Sequence, residues 1–522
     1  MFNKDLLKYV AVFVLFFAIF FGWHAMHVGL LGTDDPYYHS KHSYLMTQSG
    51  NFTLVGNWVP FHFLTSAPVD LWWLYHVIAA VFIKFCGIIW GAKIWSAVCA
   101  ALVFTAFYFI LKQLKIFYPF VWTFLLFVSS ATFTIRLLFE RPFVLSIAFL
   151  TLCFYFTLQK KYWPLIITLI LYVLTYQLAP VAFLILAVFL AVDWYFERRF
   201  NVKLLAVFLA AAILGVILHP ESLNYIYVMY VTFVKIYYLK FSGVDLNIGS
   251  ELQAHGFGDF LHYNIIVLAF YIIAVALFGK LFSDKKSSRL QLALFFISLV
   301  WFLIALVIPR GTEYFLPFGY LFIAVMFDTT ARSADWQIAR QFINQKVKTG
   351  LVLIFIYGVI AVFAGYNLFS VFGTLRERNQ NDKDIYYQEA GEWLINNTPQ
   401  DSVVFYPIWS MFPQLFFYDS YNRYLTAYDP TFLYEYNHDI YYTWANIAYR
   451  GVYCPREWPC LELSPRQELR GVKYALKNIL GAETIIIPNK PDAWLYKVFA
   501  NLKDDFEKSY ENRELVIFKI KL

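Results

Sequence analysis

The stretch that decides the fold runs from Val10 to His39: VAVFVLFFAIFFGWHAMHVGLL at 10–31, then GTDDPYYH at 32–39. An apolar run of this length matches the roughly 20 residues a helix needs to cross a bilayer. Lys4 and Lys8 precede it. The run is longer than the apolar core of a signal peptide and lacks a small-residue cleavage site, so it reads as a retained anchor. Straight after it come two acids, a proline, two tyrosines and a histidine. Polar chemistry therefore begins where the first span ends.

The rest of the chain has the same character. Of its 522 residues, 60% are hydrophobic and 15% charged, against about 25% charged in soluble domains. A soluble fold cannot hide that much apolar surface. The net charge of +7 forms no Lys/Arg stripe with interleaved aromatics, so nucleic acid is not an expected partner. Eleven apolar runs read as spans: 10–31, 92–111, 118–135, 143–158, 162–176, 178–194, 204–218, 261–281, 290–308, 312–328 and 350–370. With the N-terminus inside, the inner loops, inner span ends and N-terminal tail hold 17 Lys/Arg and the outer loops and outer span ends 8, as the positive-inside rule requires. Counting 69–90 as a span would reverse that bias. It carries Asp70, His76 and Lys84 and reads as an amphipathic helix on the outer face.

Two outer segments are long, 32–91 and 219–260. In the second, 223–241 is Tyr-rich and suits an interfacial helix. After 370 the composition turns polar, so we divide the chain into a membrane domain, 1–370, and an outer α/β domain, 371–522. Helices are expected near 384–397, 465–480 and 492–502, and strands at 403–406, 484–487 and 515–519. Cys454 and Cys460 lie in this outer region, where thiols pair; Cys86, Cys99 and Cys153 lie in apolar runs and should stay free.

The unusual charges gather on one side. Asp34, Asp35, His39, Arg136, Glu140, Arg141, His219, Glu221, Glu251, Arg310 and Glu313 all fall in outer loops or at outer span ends. Adjacent carboxylates such as Asp34 and Asp35 can serve as general base or hold a divalent cation; Asp-Pro is also a common helix cap. Arg310 at headgroup level suits a phosphate; snorkelling to the interface is its plainer reading.

Asp35-Pro36-Tyr37-Tyr38-His39, after one N-terminal span, resembles the first outer loop of GT-C glycosyltransferases. It is closest to the Asp-Pro-aromatic-aromatic motif of oligosaccharyltransferase catalytic subunits. The resemblance implies a polytopic α-helical membrane protein with an extracytoplasmic α/β domain. It implies that Asp35, with Asp34, activates the acceptor, and that Asp35 and Glu140 (the latter at the place of the second acidic site) share a divalent cation, Mg or Mn. Pro309-Arg310-Gly311-Thr312-Glu313-Tyr314 is similar to the late Arg-aromatic segment, which makes Arg310, with His39, the donor-phosphate group. Glu251 falls where such proteins carry a loop that touches the acceptor. The WWDYG motif of the outer domain is missing; Ile408-Trp409-Ser410-Met411 stands there. The expected activity is transfer of a sugar from a polyprenyl phosphate or diphosphate to a lipid, glycan or protein acceptor, in an inner or plasma membrane. The alternatives are a transporter, flippase or ligase of lipid-linked glycans. The spans lack mid-membrane charge, which disfavours transport.

Overall fold

A computed structural model describes residues 4–32, 34–54, 56, 58–244, 246, 256–333, 349–460 and 463–521. Each of the eleven apolar runs falls on helix. Among the described residues, six helices are long and apolar enough to cross a membrane, or up to eight if each bent pair counts as one span. The run 118–135 is two helices, Pro119–Val128 and Ala131–Leu137, bent by 92°. The helices Phe143–Leu158 and Tyr162–Thr175 are apolar but short.

Aromatic packing holds the bundle. Phe16 of the helix Lys4–Ala25 stacks on Phe104 of the helix Ile88–Gln113, centroids 4.2 Å apart, a contact worth about 0.5–1.5 kcal/mol beyond its buried area. The 92° bend leaves the Val128 carbonyl without its next turn. Asn367, on the helix Thr349–Gln380, donates its Nδ2–H to that carbonyl at 2.8 Å. Large apolar side chains such as Leu209, Ile213 and Ile217 point outward, which suits lipid rather than water. This is a multi-pass membrane protein.

The segment after the first span folds into a helix, Asp35–Ser49. The Asp34 carboxylate caps it, Pro36 occupies its first turn, and Gly50 ends it at φ +67 in the left-handed region. The segment expected to lie on the outer face is the helix Trp73–Cys86. The Tyr-rich 223–241 is helical and bent by 119° from the helix Val202–Leu218.

The helix Thr349–Gln380 runs past residue 370; the polar unit follows it. This unit is a five-stranded sheet of order β2-β1-β3-β5-β4, with β1 Val403–Phe405, β2 Arg423–Tyr424, β3 Ala482–Pro488, β4 Phe506–Glu511 and β5 Leu515–Ile520. β1 pairs parallel with β2 and β3; β5 pairs antiparallel with β3 and β4. Alternation sends Phe405, Ile485, Ile487, Val516 and Phe518 to one core and Val404, Tyr406, Ile486, Leu515 and Ile517 to another. Both faces are therefore covered. The second core also contains Tyr38 and Val59 of the first loop, and Tyr424 N–H donates to Trp58 O at 2.7 Å. The sheet thus seats the loop that carries the Asp-Pro motif. Cys454 and Cys460 form a disulfide, and Cys86, Cys99 and Cys153 are free.

Candidate functional site

Asp34 and Asp35 have different jobs. Asp34 Oδ1 accepts the Asp35 N–H at 3.0 Å, and the Asp34 charge faces Arg378 at the end of the helix Thr349–Gln380. Asp34, not Asp35, is the cap. Asp35 instead forms an ion pair with Arg141: Nε donates to its Oδ2 at 2.8 Å and Nη2 donates to the same oxygen. Both bonds end on Oδ2. The Asp35 side chain is 40% exposed and that of Arg141 9%, so the acid stands at the rim and its partner is sunk behind it.

Glu140 precedes Arg141 and lives in another environment. It is 1% exposed. Among the described residues neither carboxylate oxygen has a hydrogen-bond partner; His24 Nδ1 lies 3.4 Å from Oε1. Burial pushes its carboxyl up to about 8, although the fields of Lys93 and Arg378 pull the other way. At neutral pH it is mostly the protonated acid. A divalent cation shared by Asp35 and Glu140 does not fit this donor set. Metal ligation needs an ionised carboxylate, Glu140 would first have to release the proton that burial favours, and the Asp35 Oδ2 already belongs to a guanidinium.

Arg310 caps the helix Gly311–Ala331 and is half-buried. One turn on, Glu313 is buried and accepts from Arg136 Nε at 2.5 Å. Segment 136–141 therefore links two groups of charges, Arg136 with Glu313 beside Arg310, and Arg141 with Asp35 beside Glu140. Arg378 is a cation that sequence inspection missed. It stacks on Phe139 at 5.1 Å and lines a cleft of about 680 Å³ with Tyr37, Asp384 and Lys490. Glu251 lies outside the described residues.

His39 sits one helical turn after Asp35 and belongs to a buried chain. The Asp70 carboxylate pairs with His76 Nδ1 at 2.6 Å, and His76 Nε2 meets His39 Nδ1 at 2.7 Å. Burial pushes the Asp70 acid up, but His76, His42 and the Trp72 N–H outweigh it and hold it at about 2. Asp70 is thus the acceptor that fixes both tautomers: His76 donates from Nδ1, and so does His39. Burial, helped by His76, Arg141 and His42, keeps His39 well below the usual histidine range. A neutral His39 offers a lone pair on Nε2 and no charge, so it suits phosphate binding poorly. Nothing in the spacing of His39, Asp70 and His76 announces this chain, because it joins two helices through the tertiary fold. His42, Asp70 and His76 also place three ligand atoms within 4.8 Å of one another. Their ligand atoms are already spent on hydrogen bonds, His42 Nδ1 on Tyr38 and Nε2 on Leu54 O.

No family model matches the chain, and no curated protein matches it. Among solved structures it is similar to ArnT from Cupriavidus metallidurans, bound to undecaprenyl phosphate and in the apo state. The TM-score is 0.55 in both cases, with identities of 12% and 11%, and the likeness covers 99% of this chain and 98% of the other. At such identity it speaks for the fold alone. The chain therefore has the fold of ArnT along nearly its whole length.

Proposed function

We propose that this protein is an inverting glycosyltransferase that moves a sugar from a polyprenyl-phosphate carrier to an acceptor on the outer side of an inner or plasma membrane, with the C-terminal unit on that side. The Asp35–Arg141 pair carries the proposal: a rim carboxylate held on one oxygen by a sunken guanidinium. The whole-chain likeness to ArnT, a protein seen with undecaprenyl phosphate, supports the lipid carrier.

The acceptor hydroxyl donates its proton to Asp35 Oδ1 as its oxygen bonds the anomeric carbon. The bond from that carbon to the phosphate oxygen breaks, and its electron pair leaves with the polyprenyl phosphate. Arg310 holds the departing phosphate, and Arg141 and Arg378 add positive field, a preorganised arrangement of the kind that stabilises developing charge. No step needs Glu140 or a cation. The test is transfer from a polyprenyl-phosphate sugar by the purified protein in lipid nanodiscs. Wild type should transfer and Asp35→Asn should not; equal rates overturn the assignment. Arg310→Lys keeps charge but loses the fork, so the donor KM should rise and kcat should fall, with kcat/KM down by about tenfold or more, as expected when a group that grips the departing phosphate is weakened.

A further inference from the structure

Three buried titratable groups take no part in the step above. Asp70 lies just before the helix Trp73–Cys86, His76 is on that helix, and His39 is on the helix Asp35–Ser49. Asp70 Oδ1 accepts the Trp72 backbone N–H at 3.0 Å, which leaves Oδ2 for His76 Nδ1–H at 2.6 Å. His76 Nε2 in turn accepts His39 Nδ1–H at 2.7 Å. The line ends at a lone pair, His39 Nε2. That nitrogen has no partner among the described residues and, unlike both ring nitrogens of His24, is not sealed off from solvent. Trp72 and Tyr75 hold the ring in T-shaped contacts, with centroids 4.9 and 5.6 Å away. Burying a carboxylate costs several kcal/mol unless it is paired and hydrogen-bonded. Here the pairing runs through two imidazoles and ends on an open base.

We propose that His39, His76 and Asp70 form a proton relay that takes from Asp35 the proton removed from the acceptor. The relay rests on the transferase reading above and adds the path the proton follows. Asp35 and His39 stand four residues apart on one helix, so they share a face with Cβ atoms about 5–6 Å apart. One bridging oxygen, of a hydroxyl or a water, spans such a gap. Arg141, bonded to Asp35, is near enough for its charge to act on His39. Free imidazole is also the stronger base, at about 6.5 against about 3.9 for a free aspartate. In the transfer the Asp35 Oδ1–H bond breaks as His39 Nε2 gains an N–H bond. The His39 Nδ1–H bond breaks as His76 Nε2 gains one. His39 is left neutral, and the positive charge rests on His76, whose Nδ1–H already meets ionised Asp70. Charge kept on His39 would face Arg141, His42 and His76, so the second transfer accompanies the first. The reverse transfers return the proton to water once the products leave.

The experiment uses the full-length protein in lipid nanodiscs and the transfer assay above. Asp70→Asn is nearly isosteric and leaves Asp35 and Arg141 untouched. The Trp72 N–H still needs an oxygen, so the new amide turns its NH2 toward His76 Nδ1. Both tautomers then invert, and His39 presents an N–H in place of a lone pair. Transfer kcat should fall about 100-fold, the lower end of what a positioned base contributes, with the donor KM unchanged. Histidine ¹⁵N spectra should show the His39 proton on Nδ1 in wild type and on Nε2 in Asp70→Asn. His39→Ala should lose as much, and imidazole should restore it while pyrrole, of the same shape but without a basic lone pair, should not. If His39→Ala misfolds, Asp70→Asn and the spectra carry the test. Wild-type kcat in Asp70→Asn overturns the relay, as does rescue of His39→Ala by pyrrole and imidazole alike, which would mark a packing defect. Stoichiometric zinc uptake by wild type that Asp70→Asn abolishes would make the cluster a metal site and overturn it too. In each of these cases Asp35-dependent transfer stands and the relay alone falls. A wild-type protein that transfers nothing removes the transferase reading and the relay with it.

Discussion

Asp35 and Glu140 are two acids next to one arginine, and the fold treats them oppositely. Asp35 opens a loop helix at the rim, 40% exposed, with Arg141 on a single oxygen. Glu140 lies on the far side of that arginine in sequence, 1% exposed, with both oxygens unpaired among the described residues. Water and a guanidinium stabilise the first charge; a dry pocket suppresses the second. Of the two acids, only Asp35 combines access to solvent with a fixed partner.

The contrast breaks most directly at Asp35. Asp35→Asn keeps the shape and the helix start, since Asp34 provides the cap. Removing a positioned base typically lowers rate by about 10²–10⁴, and a reconstituted transfer assay should read a loss of that size with unfolding temperature little changed. A variant with wild-type turnover would reduce Asp35 to an anchor. Arg141→Lys sharpens the comparison from the other partner. Lysine keeps the charge but cannot place two N–H groups on Oδ2 as Arg141 does. A hydrogen bond to a charged group is worth about 1.5–3 kcal/mol, so kcat/KM should fall about 10- to 100-fold. A larger loss than for Asp35→Asn would mean that the guanidinium, not the acid, contacts the reacting atoms.

Much of the molecule is legible in its sequence, and the limits have physical causes. The anchor and the Asp-Pro motif are local signals. So are the helix Asp384–Asn397, three of the five strands and the Cys454–Cys460 disulfide. Strands β2 and β4 escape because β2 is two residues long and β4, FEKSYE, buries only Phe506 and has little apolar content. The cap also escapes: Asp-Pro points to Asp35, but a cap lies outside the helix, and here the helix begins at Asp35 itself. Asp70 and His76 stand out only as polar residues in an apolar stretch. Their bond to His39, like the approach of Tyr428 to Trp58 and Trp72 around one cavity, joins distant segments and leaves no periodic trace. Arg378 is hidden in the same way, at the tail of a helix whose apolar run ends near 370.

The smallest effect tests the other half of the contrast. Glu140 titrates near 8 in the folded protein against about 4.3 in an unfolded chain. Between those values the folded state holds a proton that the unfolded state has released. Stability must then fall as pH rises through this window, and it is unaffected by this group below it. Glutamine is neutral throughout and removes that slope. Glu140→Gln should lie close to wild type near pH 5 and be the more stable protein near pH 9, by up to about 5 kcal/mol, since each tenfold difference in proton affinity between the two states is worth about 1.4 kcal/mol. Because Glu140 takes no proton in the proposed step, transfer should change less than about tenfold. Unfolding temperatures of both proteins in detergent at pH 5, 7 and 9 would decide it. The groups around Glu140 are His24, Lys93 and Arg378, and glutamine leaves all three in place, so the difference between the two curves reports on this acid. Parallel curves would mean that Glu140 is ionised in the fold. The two acids would then be alike, and a cation shared with Asp35 would become chemically reasonable.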